Sequence, residues 1–121
     1  MSDKIRTLIA EDYFLFLAML RQHLAQDPEV LLIGEAHNGE EAVEKCRILR
    51  PDLVLVDVSL PGISGLDAAR LIRQCEPKVK IVLLLEEDNR EYREAAKASG
   101  ANACLAKVDM VKGLMKVVRS L

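Results

Sequence analysis

The stretch Leu53-Val54-Leu55-Val56-Asp57 is an unbroken aliphatic run that ends in an acid. Consecutive apolar residues without polar alternation indicate a strand buried on both faces, as in the middle of a parallel sheet. Other short aliphatic runs predict strands of the same kind, at Ile5–Ala10, Val30–Glu35, Val79–Leu85 and Ala103–Ala106. Segments with helical periodicity follow the five runs, at about 13–26, 39–49, 65–75, 89–99 and 109–120.

This alternation predicts an α/β fold. Right-handed crossovers leave few arrangements for five strand–helix units. The favoured one is a doubly wound, flavodoxin-like three-layer sandwich with a five-stranded parallel sheet. A closed (β/α)₈ barrel would need roughly twice the chain. The 121 residues are therefore interpreted as one domain, 1–121.

Composition excludes several classes of protein. The net charge of −2 lacks the basic excess typical of nucleic-acid-binding proteins, so no direct nucleic acid binding is predicted. The three cysteines, Cys46, Cys75 and Cys104, are far apart and predict neither disulfides nor a zinc site. No apolar run approaches the ~20 residues of a membrane span, and the start of the chain does not resemble a signal peptide. The sequence therefore predicts a cytoplasmic protein without membrane contact.

Charged side chains follow three of the predicted strands. Glu11 and Asp12 come after the first strand, Asp57 ends the third, and Lys107 follows the fifth. In an open parallel sheet, ligands bind at the C-terminal strand ends, where these side chains should converge. Three neighbouring carboxylates repel one another unless a cation neutralises them, and Mg²⁺ suits oxygen ligands. A single acid at such a place would be explained by solvation or helix capping, but the set favours a functional site.

Helix starts carry capping signals. Asn38 with Glu41, Ser64 with Asp67, and Asp88 with Glu91 each place a capping residue three positions before an acid. Asp109 is the predicted cap of the last helix, and Gly100 the left-handed residue that ends the fourth.

The first helix opens with a long apolar run, Tyr13-Phe14-Leu15-Phe16-Leu17-Ala18-Met19-Leu20. Only one stripe of a helix can face the core, and here the stripe near Phe16, Leu20 and Leu24 is expected to do so. We therefore expect Phe14 and Leu17 to be exposed, as part of either an interface or an apolar surface.

Four stretches resemble bacterial response-regulator receiver domains of two-component signalling. They are the segment Asp57-Val58-Ser59-Leu60-Pro61-Gly62-Ile63-Ser64-Gly65, the pair Glu11-Asp12, the segment Gly34-Glu35-Ala36-His37-Asn38-Gly39-Glu40-Glu41-Ala42, and Gly100-Ala101 followed by Lys107. The resemblance covers nearly the whole chain and is closest to receivers that precede a C-terminal helix-turn-helix output domain, which regulate transcription. The chain ends without such a DNA-binding domain, so we expect either a single-domain protein or an excised receiver.

The resemblance implies a phosphorelay function. Asp57 would take a phosphoryl group from a histidine kinase or a phosphotransfer protein. Asp12 and Asp57 would bind Mg²⁺ directly, Glu11 would act mainly through water, and the Ser59 backbone carbonyl would be a further ligand. Lys107 would pair with a phosphoryl oxygen. Such a phosphoprotein would catalyse at most its own phosphorylation and dephosphorylation; whether it forms a homodimer stays open.

The sequence departs from the family at two switch positions. Receivers usually carry Thr or Ser at the end of the fourth strand and an aromatic residue on the fifth, where this chain has Leu85 and Cys104. Glu86 follows where a small residue is usual, and its carboxylate would repel a phosphoryl group. The hypothesis is a receiver that keeps Asp57 and its metal site but has altered output coupling. Ser59 offers an alternative source of the hydroxyl.

Two other functions compete with this interpretation. A phosphorylation-independent pseudo-receiver, acting as a protein-interaction module, is favoured by Leu85, Glu86 and Cys104. A Mg²⁺-dependent phosphohydrolase with an aspartyl nucleophile would be expected to carry a second Asp two residues later. That position is Ser59, which opposes the enzyme hypothesis.

Overall fold

The fold is described by a computed structural model of residues 4–121; the first three residues of the predicted domain lie outside this range. The strands are β1 (Ile5–Ala10), β2 (Val30–Ala36), β3 (Leu53–Asp57), β4 (Lys80–Leu85) and β5 (Ala103–Ala106). The helices are α1 (Phe14–Ala25), α2 (Gly39–Leu49), α3 (Gly65–Cys75), α4 (Arg90–Ala98) and α5 (Met110–Arg119), the last preceded by a 3₁₀ turn at Lys107–Asp109. Every predicted strand and helix is present, and no boundary differs by more than one residue.

The strands form one parallel sheet in the order β2-β1-β3-β4-β5. Strands β1 and β3 are hydrogen-bonded neighbours, with Ala10 paired to Val56. The chain moves outward from β1 to one edge and then returns across to the other. The prediction of a doubly wound α/β fold is therefore confirmed.

The pleat of the strands divides the core into two layers. One layer packs α2, α3 and α4 against the sheet, and the other packs α1 and α5 against the opposite face. In β3, Val54 and Val56 point into the first layer, while Leu53 and Leu55 point into the second. Residues on both faces of β3 are thus buried, which explains its continuous aliphatic run.

Of the four predicted N-terminal caps, Asn38 and Ser64 are confirmed, Asp88 is wrong, and Asp109 holds the N-cap position of its helix without a side-chain bond. The Asn38 and Ser64 side chains accept hydrogen bonds from the backbone three residues on. The cap of α4 is Asn89, whose oxygen accepts from the Tyr92 N–H at 2.8 Å, while Asp88 pairs instead with Arg93. Asp109 makes no side-chain capping bond, because the 3₁₀ turn Lys107–Asp109 leads directly into α5.

The apolar opening of α1 is only partly exposed as expected. Phe14 is 71% exposed, but Leu17 is only 3% exposed and packs in the α1–α5 layer, so its predicted exposure is wrong. The contacts of α5 broaden the buried stripe of α1 beyond the single row expected from Phe16 and Leu20. Exposed apolar side chains remain at Tyr13, Leu15 and Met19.

Candidate functional site

Three acids and a lysine meet at the C-terminal edge of the sheet. Glu11 and Asp12 follow β1, Asp57 ends β3, and Lys107 begins the turn after β5. Glu11 is fully buried and Asp57 is only 4% exposed, while Asp12 is open to solvent. The structure therefore brings together the four side chains that the sequence singled out.

Asp12, Asp57 and Lys107 line one pocket together with Tyr13, Ser59 and Glu86. Glu11 is buried, contacts Lys107 and is not part of the lining. Ser59 lines the pocket beside Asp57, and Glu86 enters from the end of β4. Acids from three strand ends, Asp12, Asp57 and Glu86, share this pocket with a single ammonium, that of Lys107.

Lys107 is the electrostatic centre of the pocket. Its Nζ lies 2.9 Å from Glu11 Oε1, 3.2 Å from Glu86 Oε1 and 3.5 Å from Asp57 Oδ1. The ammonium also sits 4.7 Å from the centroid of the Phe16 ring, within cation–π range. Only 12% of the Lys107 side chain is exposed, so its charge is held in a largely desolvated position.

The shifts in pKa follow from this crowding. Burial alone would lower the pKa of Lys107, but its contact with Glu11 and the charge of Asp57 outweigh burial, and its pKa lies above the ordinary value. Burial raises the pKa of Glu11, opposed by Lys107 and by the hydrogen bond from the Tyr13 N–H. Lys107 is therefore a permanent cation at neutral pH.

One oxygen of Glu11 is left without a hydrogen bond. Glu11 Oε2 accepts from the Tyr13 N–H at 2.9 Å. Glu11 Oε1 is buried and has no hydrogen-bond partner among residues 4–121, although Lys107 Nζ is 2.9 Å away. The contact has ion-pair distance without hydrogen-bond geometry. A buried carboxylate oxygen of this kind can accept a hydrogen bond from water or from a metal-bound water.

The donor set fits a magnesium ion chemically, although the side chains do not already form a cage. Within the described part of the chain, no three His, Cys, Asp or Glu side chains are arranged to hold a metal as they stand. Magnesium needs only one or two carboxylates, because it keeps several of its own waters. Asp12 and Asp57 line the same pocket, and Lys107, which also lines it, contacts the orphan oxygen of Glu11. The residues present therefore suit this ion.

The loop after Asp57 is held close to the strand end. The Ser59 N–H donates to Asp57 Oδ1 at 3.2 Å, and the Gly65 N–H donates to the Val58 carbonyl at 3.0 Å. A Cβ on Gly65 would lie 2.0 Å from the Asp57 carbonyl oxygen, so only glycine fits there. Gly62 turns the loop with φ +77°, a conformation that favours glycine.

The end of β4 offers no hydroxyl to the pocket. Leu85, paired with Ala106, is 1% exposed and packs in the layer beneath α2, α3 and α4. Cys104 is partly buried against the same layer. Neither is among the side chains lining the pocket. Leu85 and Cys104 therefore contribute neither a hydroxyl nor an aromatic ring to the lining of this pocket.

Sequence reasoning missed two partners of Lys107. The Phe16 ring was assigned to the core alone, and Glu86 was expected to repel a phosphoryl group but not to pair with the lysine. The strand order contains part of the second signal: β4 lies between β3 and β5, so the residue that follows β4 lies near Asp57 and Lys107, although strand order does not determine the direction of its side chain.

The chain belongs to the response regulator receiver domain family, which it matches over residues 7–119. It is 34% identical to the response regulator UvrY of Escherichia coli over 116 residues, 96% of this chain and 53% of that protein. It is 31% identical to the transcriptional regulatory protein DegU of Brevibacillus brevis over 117 residues, 97% of this chain and 50% of that protein. The signal receiver domain of the response regulator NarL from Mycobacterium tuberculosis matches with a TM-score of 0.87 and 26% identity, covering 98% of this chain and 99% of that one.

The family relationship defines the class of protein. The chain is a receiver domain of the kind found in two-component response regulators. It spans about half the length of the curated relatives UvrY and DegU. None of the helices within residues 4–121 combines the length and apolar character that a membrane crossing requires.

Proposed function

We propose that Asp57 is the phosphoacceptor of this receiver, in a reaction that requires Mg²⁺. The observation that carries the proposal is the convergence of the Asp57 and Glu11 carboxylates on the Lys107 ammonium, at 3.5 and 2.9 Å. Strand-end acids that served only as helix caps would not share a desolvated cation. The family relationship supports the same conclusion.

The transfer is a displacement at phosphorus. An Asp57 carboxylate oxygen attacks the phosphorus of a phosphohistidine, a P–O bond forms, and the P–N bond breaks. The electron pair of the broken bond stays on the partner's imidazole, which takes up a proton. The hydrogen bond from the Ser59 N–H to Asp57 Oδ1 orients the nucleophile. Lys107 lies close enough to Asp57 to contact a phosphoryl oxygen once it is attached.

Three side chains would hold the metal. Asp12 and Asp57 would bind it directly, with the Ser59 backbone carbonyl as a further ligand, and Glu11 Oε1 would accept a hydrogen bond from one of its waters. When bound, Mg²⁺ supplies positive charge that offsets the phosphoryl oxygens. The protein would turn over no substrate beyond its own phosphorylation and dephosphorylation.

The partners belong to the same proposal. A histidine kinase or phosphotransfer protein would dock beside the pocket, where Phe14 on α1 and Val108 and Val111 after β5 expose apolar surface. The relatives UvrY and DegU are about twice the length of this chain, and DegU is named a transcriptional regulatory protein. We therefore propose a DNA-binding output domain outside this sequence, and a cytoplasmic location. A homodimer is compatible with the same exposed surface.

The alternative function is a pseudo-receiver that signals without phosphate. It is favoured by the buried Leu85, which carries no hydroxyl, and by Glu86, which already pairs with Lys107. In this alternative the pocket would be a structural remnant and the protein would act through its exposed surfaces.

The experiment is incubation with Mg²⁺ and a small-molecule phosphodonor, followed by intact mass measurement. We expect one added phosphoryl group in the unaltered protein and none in Asp57→Ala. Asp52→Ala is the matched control, because Asp52 lies at the opposite end of β3 and is exposed. If no adduct forms while Mg²⁺ binds, the pseudo-receiver is the correct function.

A further inference from the structure

Glu86 makes a contact that the proposed chemistry does not use. It is the first residue after β4, and its Oε1 lies 3.2 Å from Lys107 Nζ. Its side chain is 59% exposed, whereas the two other carboxylates near this ammonium belong to the buried Glu11 and Asp57. Glu86 is thus the only solvent-exposed acid that the structure of residues 4–121 pairs with Lys107.

The Lys107 ammonium is already paired with three carboxylates. An ammonium carries three N–H donors, and three carboxylates lie within 3.5 Å of Lys107 Nζ. A phosphoryl oxygen that arrives at Lys107 must therefore share or displace one of these partners. Asp57 is consumed as the nucleophile, and releasing the buried Glu11 would leave an unpaired charge away from water. Glu86 can return to solvent, so it is the partner that gives way.

We propose that Glu86 is an internal anion that occupies the phosphoryl-binding side of Lys107 and must be displaced before Asp57 can be phosphorylated. The inference rests on the proposed function of Asp57 and adds Glu86 as the residue that slows phosphorylation of Asp57. The Glu86 carboxylate takes the place of a phosphoryl oxygen in the resting state. Its departure on phosphorylation also frees the segment 86–89 between β4 and α4, which holds Asn89, the cap of α4.

Two variants test the inference. Glu86→Gln keeps the size of the side chain and removes its charge. Glu87→Gln removes the same charge one residue later, where the carboxylate accepts a hydrogen bond from Asn89 and does not line the pocket. A long-range effect of net charge would act on both variants, whereas displacement from Lys107 acts only on the first.

Two measurements are made on each protein with Mg²⁺ present: the initial rate of Asp57 phosphorylation by a small-molecule phosphodonor, and the dissociation constant of beryllofluoride, a phosphoryl mimic. An ion pair with one exposed partner is weak, so we expect Glu86→Gln to raise the rate and tighten beryllofluoride binding by about three- to tenfold. We expect Glu87→Gln to match the unaltered protein in both.

Every outcome decides the matter. A gain confined to Glu86→Gln supports the inference, and an adduct in that variant with none in the unaltered protein supports it further. Equal rates and affinities in all three proteins, or equal gains in both variants, overturn the inference while the proposed function stands. If no protein is modified or binds beryllofluoride, the inference and the proposed function both fail.

Discussion

The position of Leu85 can be tested by restoring the hydroxyl that the family resemblance would place there. Leu85→Thr is compared with Leu85→Val, because Thr and Val have nearly the same shape and differ by the hydroxyl. Both truncate the same buried side chain in the layer beneath α2, α3 and α4. The difference between the two variants therefore isolates one polar group.

The magnitudes follow from burial. Leu85 is 1% exposed, so loss of a methylene in Leu85→Val should lower the free energy of unfolding by about 1–2 kcal/mol. A buried hydroxyl without a good partner should cost Leu85→Thr a further ~1–3 kcal/mol. With a phosphoryl mimic bound at Asp57, the same hydroxyl gains a charged acceptor worth about 1.5–3 kcal/mol. Leu85→Thr should then bind beryllofluoride roughly 10- to 150-fold more tightly than Leu85→Val.

The assay is urea unfolding of both variants, followed by titration of each with beryllofluoride and Mg²⁺. We expect Leu85→Thr to be the less stable of the two without the mimic and the tighter binder with it. The unaltered protein should bind about as well as Leu85→Val, because neither side chain can donate. If the two variants bind equally, the end of β4 does not face the phosphoryl group, and the explanation of Leu85 as a missing switch residue is wrong.

Four further predictions concern the pocket, the last helix and the core. Gly65→Ala should abolish phosphorylation and unfold at a lower urea concentration, because its Cβ would lie 2.0 Å from the Asp57 carbonyl oxygen. Gly113→Ala should instead raise the free energy of unfolding by up to about 1 kcal/mol in the same urea experiment, because its Cβ would meet only a leucine methyl group at 3.3 Å. Mg²⁺ at ten times its dissociation constant should stabilise the protein by about 1.4 kcal/mol in thermal unfolding; an unchanged response in Asp12→Asn would refute the assignment of that ligand. Burial, helped by a nearby carboxylate, raises the pKa of Cys46 from 9.0 to about 12. Between these two pH values the thiol ionises in the unfolded protein but not in the folded one. The free energy of unfolding therefore falls by about 1.4 kcal/mol per pH unit. The stability advantage over Cys46→Ala should therefore shrink as the pH of urea unfolding rises from 9 to 10.5, and a constant difference would contradict the shift.

The strands and helices could be predicted closely from the sequence because burial on both faces leaves a clear signal. Leu53–Asp57 contains no alternation, and its neighbours in the sheet are equally aliphatic, so few other folds would bury them. The capping residue of α4 could be predicted less reliably from the sequence. Asp88 and Asn89 are adjacent and both are good caps, and Arg93 draws the acid away from the backbone. The sequence rule for helix caps cannot choose between two adjacent capping residues when the choice depends on a side chain one turn further along the helix.

The site was predictable to the extent that strand order determines it. Glu11, Asp57 and Lys107 converge because β1, β3 and β5 end at the same edge of a parallel sheet. The direction of Glu86 was not predictable in the same way. It depends on the turn that follows β4 and on the competition between three carboxylates for one ammonium, and neither is encoded by spacing along the chain.

The two proposed departures from the family pattern would act on the same free-energy difference. Leu85 would withhold a hydrogen bond that favours the phosphorylated state, and Glu86 would stabilise the unphosphorylated state by its pairing with Lys107. If both proposals hold, each substitution favours the bound state, so the double variant Leu85→Thr/Glu86→Gln should bind beryllofluoride more tightly than either single variant, although two adjacent residues acting on one ligand need not add fully in ΔG. The proposed nucleophile and the proposed metal ligands are unchanged in all of them. A receiver built this way would favour the unphosphorylated state, and phosphorylation would depend on the binding energy of a docked kinase more than on the pocket alone.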